Sequence, residues 1–135
     1  MRISNEMATP QEFTAPLKIE LRAKQDGEHM PHTHMVLKYA DGNILINWFD
    51  GVCHLLIENM EGDREYWCKD VAADGYIDIE WILGREFMSV KLNGELRHIR
   101  EFRDNPGNNL SSAVTVRTNT DRSTVVVKSL RVTEI

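Results

Sequence analysis

The stretch that decides the fold is MVLKYADGNILINWFDGVCHLLI, residues 35–57, in which apolar and polar side chains alternate through three runs. The dipeptides Asp41-Gly42 and Asp50-Gly51 separate the runs, and Asp-Gly is a preferred sequence for two-residue hairpin loops of type I′. Because a two-residue loop fixes the pairing of its flanking strands, a correct pairing must place apolar residues opposite each other. The stretch therefore predicts a three-stranded antiparallel meander.

The predicted pairs are all apolar and all share one face of this meander. They are Tyr39 with Ile44, Leu37 with Ile46 and Met35 with Trp48 in the first hairpin, then Trp48 with Cys53, Ile46 with Leu55 and Ile44 with Ile57 in the second.

Two further turn dipeptides predict a second meander. Gly84-Arg85 has glycine first, as a type II′ turn requires. The pairs that it predicts are Trp81 with Met88, Ile79 with Val90 and Ile77 with Leu92. Asn93-Gly94 predicts another hairpin, but Leu96, Ile99 and Phe102 after it do not alternate cleanly. We therefore expect a bulge or a bend there.

Runs of period two recur along the whole chain, whereas no stretch of ten residues keeps a helical period. Strands are predicted at 16–24, 33–40, 43–49, 52–59, 64–69, 75–83, 86–92, 95–103, 112–118 and 122–134. Two meanders with one apolar face each bury those faces against each other, which predicts an all-β fold, an antiparallel β-sandwich of the jelly-roll type. Residues 1–135 fit a single domain, with 1–14 as an N-terminal extension or edge segment.

Composition excludes several classes of function. The chain has 16 basic and 21 acidic residues and a formal charge of -5. Since no Lys/Arg cluster is present, we expect no nucleic-acid partner. The first residues lack the layout of a secretory signal and no apolar run could span a membrane, so we expect a cytoplasmic protein without a membrane partner. Cys53 and Cys68 lie in apolar runs and are expected to be buried thiols.

A pair of acidic residues stands out in GYIDIEWILGRE, residues 75–86. Asp78 and Glu80 are two apart on a predicted strand, so both side chains point away from the core. The predicted hairpin sets Lys91 opposite Asp78 and Ser89 opposite Glu80. A cross-strand ion pair between Lys91 and Asp78 explains the aspartate without catalysis.

The strand Tyr76-Ile77-Asp78-Ile79-Glu80 resembles the E-x-D-x-E motif of family 16 glycoside hydrolases, β-jelly-roll enzymes of the concanavalin A-like lectin/glucanase superfamily. Asp78 and Glu80 match, whereas Tyr76 occupies the position of the nucleophile. A retaining glycosidase needs two carboxyl groups about 5–5.5 Å apart. The resemblance implies the fold and a sugar-related function, with Glu80 as proton donor beside Asp78 if the protein is an enzyme.

The meander at 35–57 has a second face, here called the mixed face, made of polar and apolar side chains. Its residues are His34, Val36, Lys38, Leu45, Asn47, Phe49, Val52, His54, Leu56 and Glu58. The predicted register places Asn47 opposite His54, and His34 opposite Phe49. An aromatic ring among hydrogen-bonding groups suits a sugar. The face resembles that of galectins in composition, but lacks their H-x-N-P-R string.

Two patterns are read as ordinary structure. The outward residues of the first long strand carry both charge signs and predict a solvated face; they are Lys18, Glu20, Arg22 and Lys24. Tyr66 and Trp67 are expected to be core aromatics, with aromatics at the rim of a ligand groove as the alternative.

The histidine-rich string EHMPHTHM, residues 28–35, invites comparison with cupins, which hold a metal with H-x-H, a following Glu and a distant His. Here no Glu follows within the next eight residues, and His54 and His98 lack the cupin spacing. We therefore predict no metal and no cofactor. If a metal were bound, His32 and His34 would be its ligands.

The leading prediction is a non-catalytic, lectin-like sandwich that binds a carbohydrate or a related polar ligand on the mixed face. Lys38, Asn47 and His54 would provide hydrogen bonds, and Phe49 would provide a stacking platform. Three further residues, Asp78, Glu80 and Lys91, would extend the surface if both meanders share one sheet. The alternatives are an enzyme, using Glu80 or a metal at His32 and His34, and an interaction module whose mixed face forms a homodimer interface or is covered by the N-terminal segment.

Overall fold

The computed structural model describes residues 2–3, 6–27, 34–49, 52–60, 62–68, 75–102, 111–119 and 123–135. Within these residues the regular structure is entirely β. The strands are β1 Arg2–Ile3, β2 Glu6–Ala8, β3 Phe13–Thr14, β4 Leu17–Gly27, β5 Met35–Tyr39, β6 Gly42–Phe49, β7 Val52–Glu58, β8 Arg64–Cys68, β9 Ile77–Leu83, β10 Phe87–Leu92, β11 Glu95–Glu101, β12 Ser111–Ser112, β13 Val114–Thr118 and β14 Ser123–Glu134. No helical segment among them is long and apolar enough to cross a membrane.

The strands form two six-stranded antiparallel sheets. Sheet A has the order β1-β14-β4-β9-β10-β11, and sheet B has the order β2-β13-β5-β6-β7-β8. The short strands β3 and β12 form a separate pair. Strands distant in sequence are neighbours in both sheets, as β14 and β4 show. The predicted all-β, antiparallel sandwich is confirmed.

The core lies between the inner faces of the sheets. Alternate residues of β4 and β9 from sheet A meet alternate residues of β5, β6 and β7 from sheet B. The largest side chains with less than 2 % exposure are Trp81, Tyr39, Leu17, Ile19, Leu21, Met35, Leu37, Ile44, Ile46, Leu55, Ile57 and Ile77. Because the inward residues are apolar, the outward residues of each sheet are free to carry polar chemistry.

The second predicted hairpin is confirmed: Trp48 pairs with Cys53 and Ile46 with Leu55. The first is wrong by two residues, since Met35 pairs with Ile46 and Tyr39 with Gly42. The loop is Ala40-Asp41, and Ala40 takes a positive φ of 52°.

Packing between the sheets explains the shifted loop. A Cβ on Gly42 would lie 2.7 Å from Cγ of Met60 and 3.1 Å from Cη2 of Trp81. The glycine is therefore needed inside β6, where the edge of the Trp81 ring approaches the backbone, and it is not part of the turn.

The Gly84 hairpin is also wrong by two residues. Met88 pairs with Leu83 and Val90 with Trp81. A longer loop closes with the Gly84 N–H donating to the Phe87 carbonyl at 2.9 Å. A shift of two keeps every side chain on its predicted face but changes its neighbours.

The outward neighbours in this hairpin change accordingly. Lys91 lies opposite Glu80, not Asp78, and Ser89 lies opposite Ile82, not Glu80. The predicted cross-strand ion pair between Lys91 and Asp78 is therefore wrong.

The last predicted hairpin is confirmed, including its irregularity. Asn93 and Gly94 form the loop with φ of 52° and 83°. A register shift between Val90 and Lys91 is the expected bulge.

The two cysteines are register partners on β7 and β8 and both are buried free thiols. Burial and, to a smaller extent, the neighbouring Cys68 raise the pKa of Cys53 to about 12, against a small lowering by Arg97. The thiol is therefore protonated at neutral pH and acts as a small apolar side chain.

Candidate functional site

A groove of about 330 Å³ lies on the outer face of sheet A. Residues of β4, β9, β10 and β14 and of the β10–β11 turn line it: Glu20, Leu21, Arg22, Asp78, Ile79, Glu80, Lys91, Gly94 and Ser129. We call this surface the charged groove. The motif strand β9 runs through its middle, flanked by β4 and β10.

Asp78 is fixed on both its side chain and its backbone. Its Oδ2 accepts a hydrogen bond from Nη1 of Arg22 at 2.8 Å. Its N–H donates to Oδ1 of Asn93 at 2.9 Å, and its carbonyl accepts from the Asn93 N–H at 2.8 Å. The aspartate therefore positions Arg22 within the groove, and it pairs with β4 instead of β10.

Glu80 faces another carboxylate. The register places Glu20 of β4 on one side of it and Lys91 of β10 on the other. Side chains directly opposite have Cβ atoms about 4.5–5.5 Å apart, and like charges there are destabilising. Within the described part of the chain Glu80 makes no ion pair, and Glu20 has only Lys18 at 3.7 Å. The middle of the groove thus concentrates negative charge.

Tyr76, directly before β9, carries three cations around its ring. The distances to the ring centroid are 5.2 Å for Cζ of Arg22, 5.1 Å for Nζ of Lys24 and 5.3 Å for Nζ of Lys128. This cluster adjoins the groove through Arg22, which lines it, and we call it the basic end. All three distances are within the range of cation–π attraction.

A bulge in β14 brings the third cation there. Val127 and Ser129 pair with the adjacent residues Ala23 and Arg22, which leaves Lys128 as the extra residue. Lys128 and Ser129 are both exposed in consequence. Bulges commonly re-aim side chains in this way at functional surfaces.

The outer face of sheet B, the mixed face, has polar groups that bind one another. Oδ1 of Asn119 accepts the backbone N–H of His34 at 2.6 Å. This contact orients the amide so that its Nδ2 donates to Nδ1 of His34 at 3.2 Å. His34 then carries its hydrogen on Nε2.

The chain of hydrogen bonds continues to the edge strand. Nε2–H of His34 donates to Nδ1 of His54 at 3.3 Å, and Nε2–H of His54 donates to Glu65 at 2.7 Å. Each ring therefore uses both of its nitrogens. We call Asn119, His34, His54 and Glu65 the histidine chain.

Trp67 is the exposed aromatic of this face. Its ring stacks on His54 with centroids 4.3 Å apart and planes 18° apart, and the residue is 67 % exposed. The prediction that Trp67 is a core residue is wrong, because β8 turns it outward beside His54. Tyr66, next to it, packs against the core and contacts Nδ1 of His98 at 2.8 Å.

The predicted residues of the mixed face have different environments. Asn47 pairs with His54 as predicted but is only 2 % exposed, whereas Lys38 is exposed. The backbone of Phe49 pairs with Val52 and its side chain lies outside the described part. Because Met35 pairs with Ile46, His34 lies level with Asn47 and not with Phe49, which corrects the register prediction.

The remaining predicted residues lie elsewhere. Asp78, Glu80 and Lys91 are on sheet A, on the opposite side of the sandwich from the mixed face. The two meanders do not share a sheet, so the seven predicted ligand-binding residues do not form one surface.

The metal prediction rests on two histidines that the structure treats differently. His34 belongs to the histidine chain, and His32 lies outside the described residues. Among the described residues no three His, Cys, Asp or Glu side chains come close enough to hold a metal ion.

Sequence reasoning missed the role of β4 in the groove. Glu20, Arg22 and Lys24 were predicted to form a solvated face. They do point outward, but they form one wall beside β9. The available signal was their alternation with apolar residues; the neighbouring strand, more than fifty residues away in sequence, could not be read from it.

The fold is shared with carbohydrate-related proteins of very different sequence. A Bacillus licheniformis beta-glucanase superposes with a TM-score of 0.68 at 11% identity, covering 96% of this chain and 71% of that chain. Sheep galectin-11, in complex with glycerol, gives 0.62 at 9% identity, covering 94% and 95%. Alginate lyase A1-II′ gives 0.61 at 12% identity, covering 94% and 66%.

No protein-family model matches the sequence, and no curated protein matches it either. At such low identities the superpositions establish the fold alone. The chain has the concanavalin A-like jelly-roll fold, as the resemblance of the motif strand implied.

Proposed function

We propose that this protein binds a carbohydrate in the charged groove of sheet A. The observation that carries the proposal is the position of the groove, which is centred on Asp78 and Glu80, the two residues that match the glycosidase motif. Support also comes from the fold, since proteins of this fold named as glucanases, galectin and alginate lyase include both lectins and glycan-active enzymes. The site thereby moves from the mixed face to the second set of predicted residues.

The groove offers the contacts that sugars use. Arg22 and Lys91 are hydrogen-bond donors and Glu20 and Glu80 are acceptors. Next to the groove, the half-buried ring of Tyr76 contacts Arg22 and gives an apolar surface. A pyranose needs both fixed polar partners for its hydroxyls and a flat surface for its C–H face. These groups lie on strands, which holds them in place before the ligand arrives.

A glycan array tests the proposal. We expect binding by the natural chain and a loss of about tenfold or more in Asp78→Asn and Glu80→Gln, because each change removes charged hydrogen bonds worth roughly 1.5–3 kcal/mol. Glu101→Gln, an exposed carboxylate on edge strand β11, is the matched control and should bind normally. Binding that ignores both groove variants would remove the groove as the site.

A second candidate function is glycoside hydrolysis, favoured by the Glu20–Glu80 pair. The residue at the nucleophile position is Tyr76, but β4 supplies a second carboxylate directly opposite the proton donor. Two facing carboxyl groups are the minimum for this chemistry. Release of reducing ends from a β-glucan that stops in both Glu20→Gln and Glu80→Gln would establish it, and binding without release leaves a lectin-like module.

Separately, we propose the mixed face as a second contact surface, because the ring of Trp67 is exposed there. It could meet a sugar ring or a second copy of the chain. Trp67→Ala separates the two: weaker array binding at unchanged mass in light scattering favours a sugar, whereas a dimer that becomes a monomer favours an interface. No change in either measurement rejects both.

A further inference from the structure

Among the described residues, the basic end of the charged groove holds more positive charge than the neighbouring carboxylates neutralise. Arg22, Lys24 and Lys128 all lie within 5.3 Å of the centre of the Tyr76 ring. No two of these groups are therefore more than roughly 10 Å apart, about one Debye length at 0.1 M salt, so they repel one another. The chain as a whole has a formal charge of -5, which makes this local excess the opposite of the average.

Among the described residues, one of the three cations is neutralised by a carboxylate. Arg22 pairs with Asp78 at 2.8 Å. In the described part of the chain Lys24 and Lys128 make no ion pair, and their contact is the Tyr76 ring that they share. One ring attracts a cation by about 0.5–1 kcal/mol at an exposed site and cannot cancel two full charges.

The resemblance to the glycosidase motif sharpens this observation. At the position where those enzymes carry an attacking carboxylate, this chain has the neutral Tyr76 and surrounds it with cations. A negative group that the site would repel in such an enzyme is attracted here. The missing negative charge can come from the ligand.

We propose that the basic end binds an anionic substituent, a carboxylate or sulfate carried by the sugar chain in the groove, through Lys24 and Lys128. This inference rests on the proposed carbohydrate function and narrows its ligand to an acidic glycan. Tyr76 supports the sugar ring that bears the substituent. Glu20 and Glu80 lie farther along β4 and β9 and face an uncharged part of the bound sugar chain.

The test compares one glycan with and without its charge. Cello-oligosaccharides and the same oligosaccharides oxidised to carboxylates at C6 are titrated by calorimetry, with inorganic sulfate as a third probe. We expect the oxidised form to bind about tenfold tighter or more, since charged hydrogen bonds are roughly twice as strong as neutral ones. Raising the salt should shrink that gain.

In the double variant Lys24→Gln, Lys128→Gln, the oxidised glycan should lose its higher affinity, while the affinity for the neutral form should be kept. Lys128 is exposed and Lys24 is half-buried, and a melting curve checks that the variant folds. Arg85→Gln, which removes an exposed cation from the loop between β9 and β10, is the matched control and should keep the gain.

Each outcome decides something. Equal affinity for both forms overturns the acidic ligand and leaves carbohydrate binding intact. If sulfate binds through the two lysines and neither glycan binds, the anion site is supported and the carbohydrate function is overturned. Binding of none of the three probes overturns both, and a gain that survives the double variant assigns the charge recognition to other residues and overturns the inference.

Discussion

The two outer faces of the sandwich differ in how their polar and charged side chains are paired. On sheet B, Asn119, His34, His54 and Glu65 satisfy one another through a continuous chain of hydrogen bonds. On sheet A, Glu20 faces Glu80, and Lys24 shares one aromatic ring with Lys128.

This difference indicates on which face a ligand gains the most binding free energy. A group that already has its partners must lose them before it can bind something else, and that cost opposes binding. Like charges held close together are relieved by a ligand of opposite charge or by hydrogen bonds to hydroxyls. We therefore expect variants on the outer face of sheet B to affect mainly folding, and variants on the outer face of sheet A to affect mainly binding.

The largest expected effect comes from cutting the histidine chain. His54→Ala should lower the free energy of unfolding by about 2 kcal/mol, because it leaves the buried ring of His34 without its acceptor and removes the stacking on Trp67. Urea unfolding measures this change. An unfolding free energy within about 0.5 kcal/mol of the natural chain would contradict the structural role of the histidine chain.

A smaller effect comes from pH and belongs to the core between the faces. Burial, with smaller effects of Arg100 and Arg64, lowers the pKa of His98. The unfolded chain takes up a proton near pH 6.5, whereas the folded chain does so only at lower pH. The unfolded state therefore binds more protons below pH 6.5, and stability must fall as the pH drops through that value.

Between pH 7.5 and 5.5 we expect His98 to lower the free energy of unfolding, by at most roughly 1.4 kcal/mol for one group. Urea unfolding at both pH values measures it, and His98→Gln should reduce the difference between them. His54→Ala, on the mixed face, should leave the His98 contribution in place. A pH dependence that is unchanged in His98→Gln would contradict this origin.

The smallest effect is a gain of stability in the groove. Glu80→Gln removes the repulsion from Glu20 and should raise the free energy of unfolding by a few tenths of a kcal/mol. The same variant should weaken glycan binding, so stability and affinity move in opposite directions. A loss of stability in Glu80→Gln would show that Glu80 has a favourable structural role and would break the contrast between the faces.

Much of the fold was predictable because strand alternation is local. The period-two pattern located β4 to β11, β13 and β14 within a few residues, and it gave the correct inner face for β4, β5, β6, β7, β9 and β10. Two hairpin registers were wrong by two residues because Gly42 and Gly84 were read as turn residues. Gly42 is in fact required where Trp81 of the other sheet packs against it, and the sequence around a turn does not contain that contact.

The site was predictable only in part, for the same reason. Asp78 and Glu80 were recognised from a local motif, but their neighbours Glu20 and Arg22 come from β4, and Lys128 from a bulge at the other end of the chain. These segments are brought together by the order of the strands in sheet A. Trp67 was missed because its face depends on the pairing of β8 with β7, which no turn dipeptide specifies.

The central claim is that ligand binds to the outer face of sheet A and not to that of sheet B. Backbone amide chemical shifts, recorded by NMR while a C6-oxidised cello-oligosaccharide is added, test it most directly. The account predicts shifts at Lys24, Tyr76 and Glu80, with His34, His54 and Trp67 unchanged. Shifts confined to His34, His54 and Trp67 would contradict it.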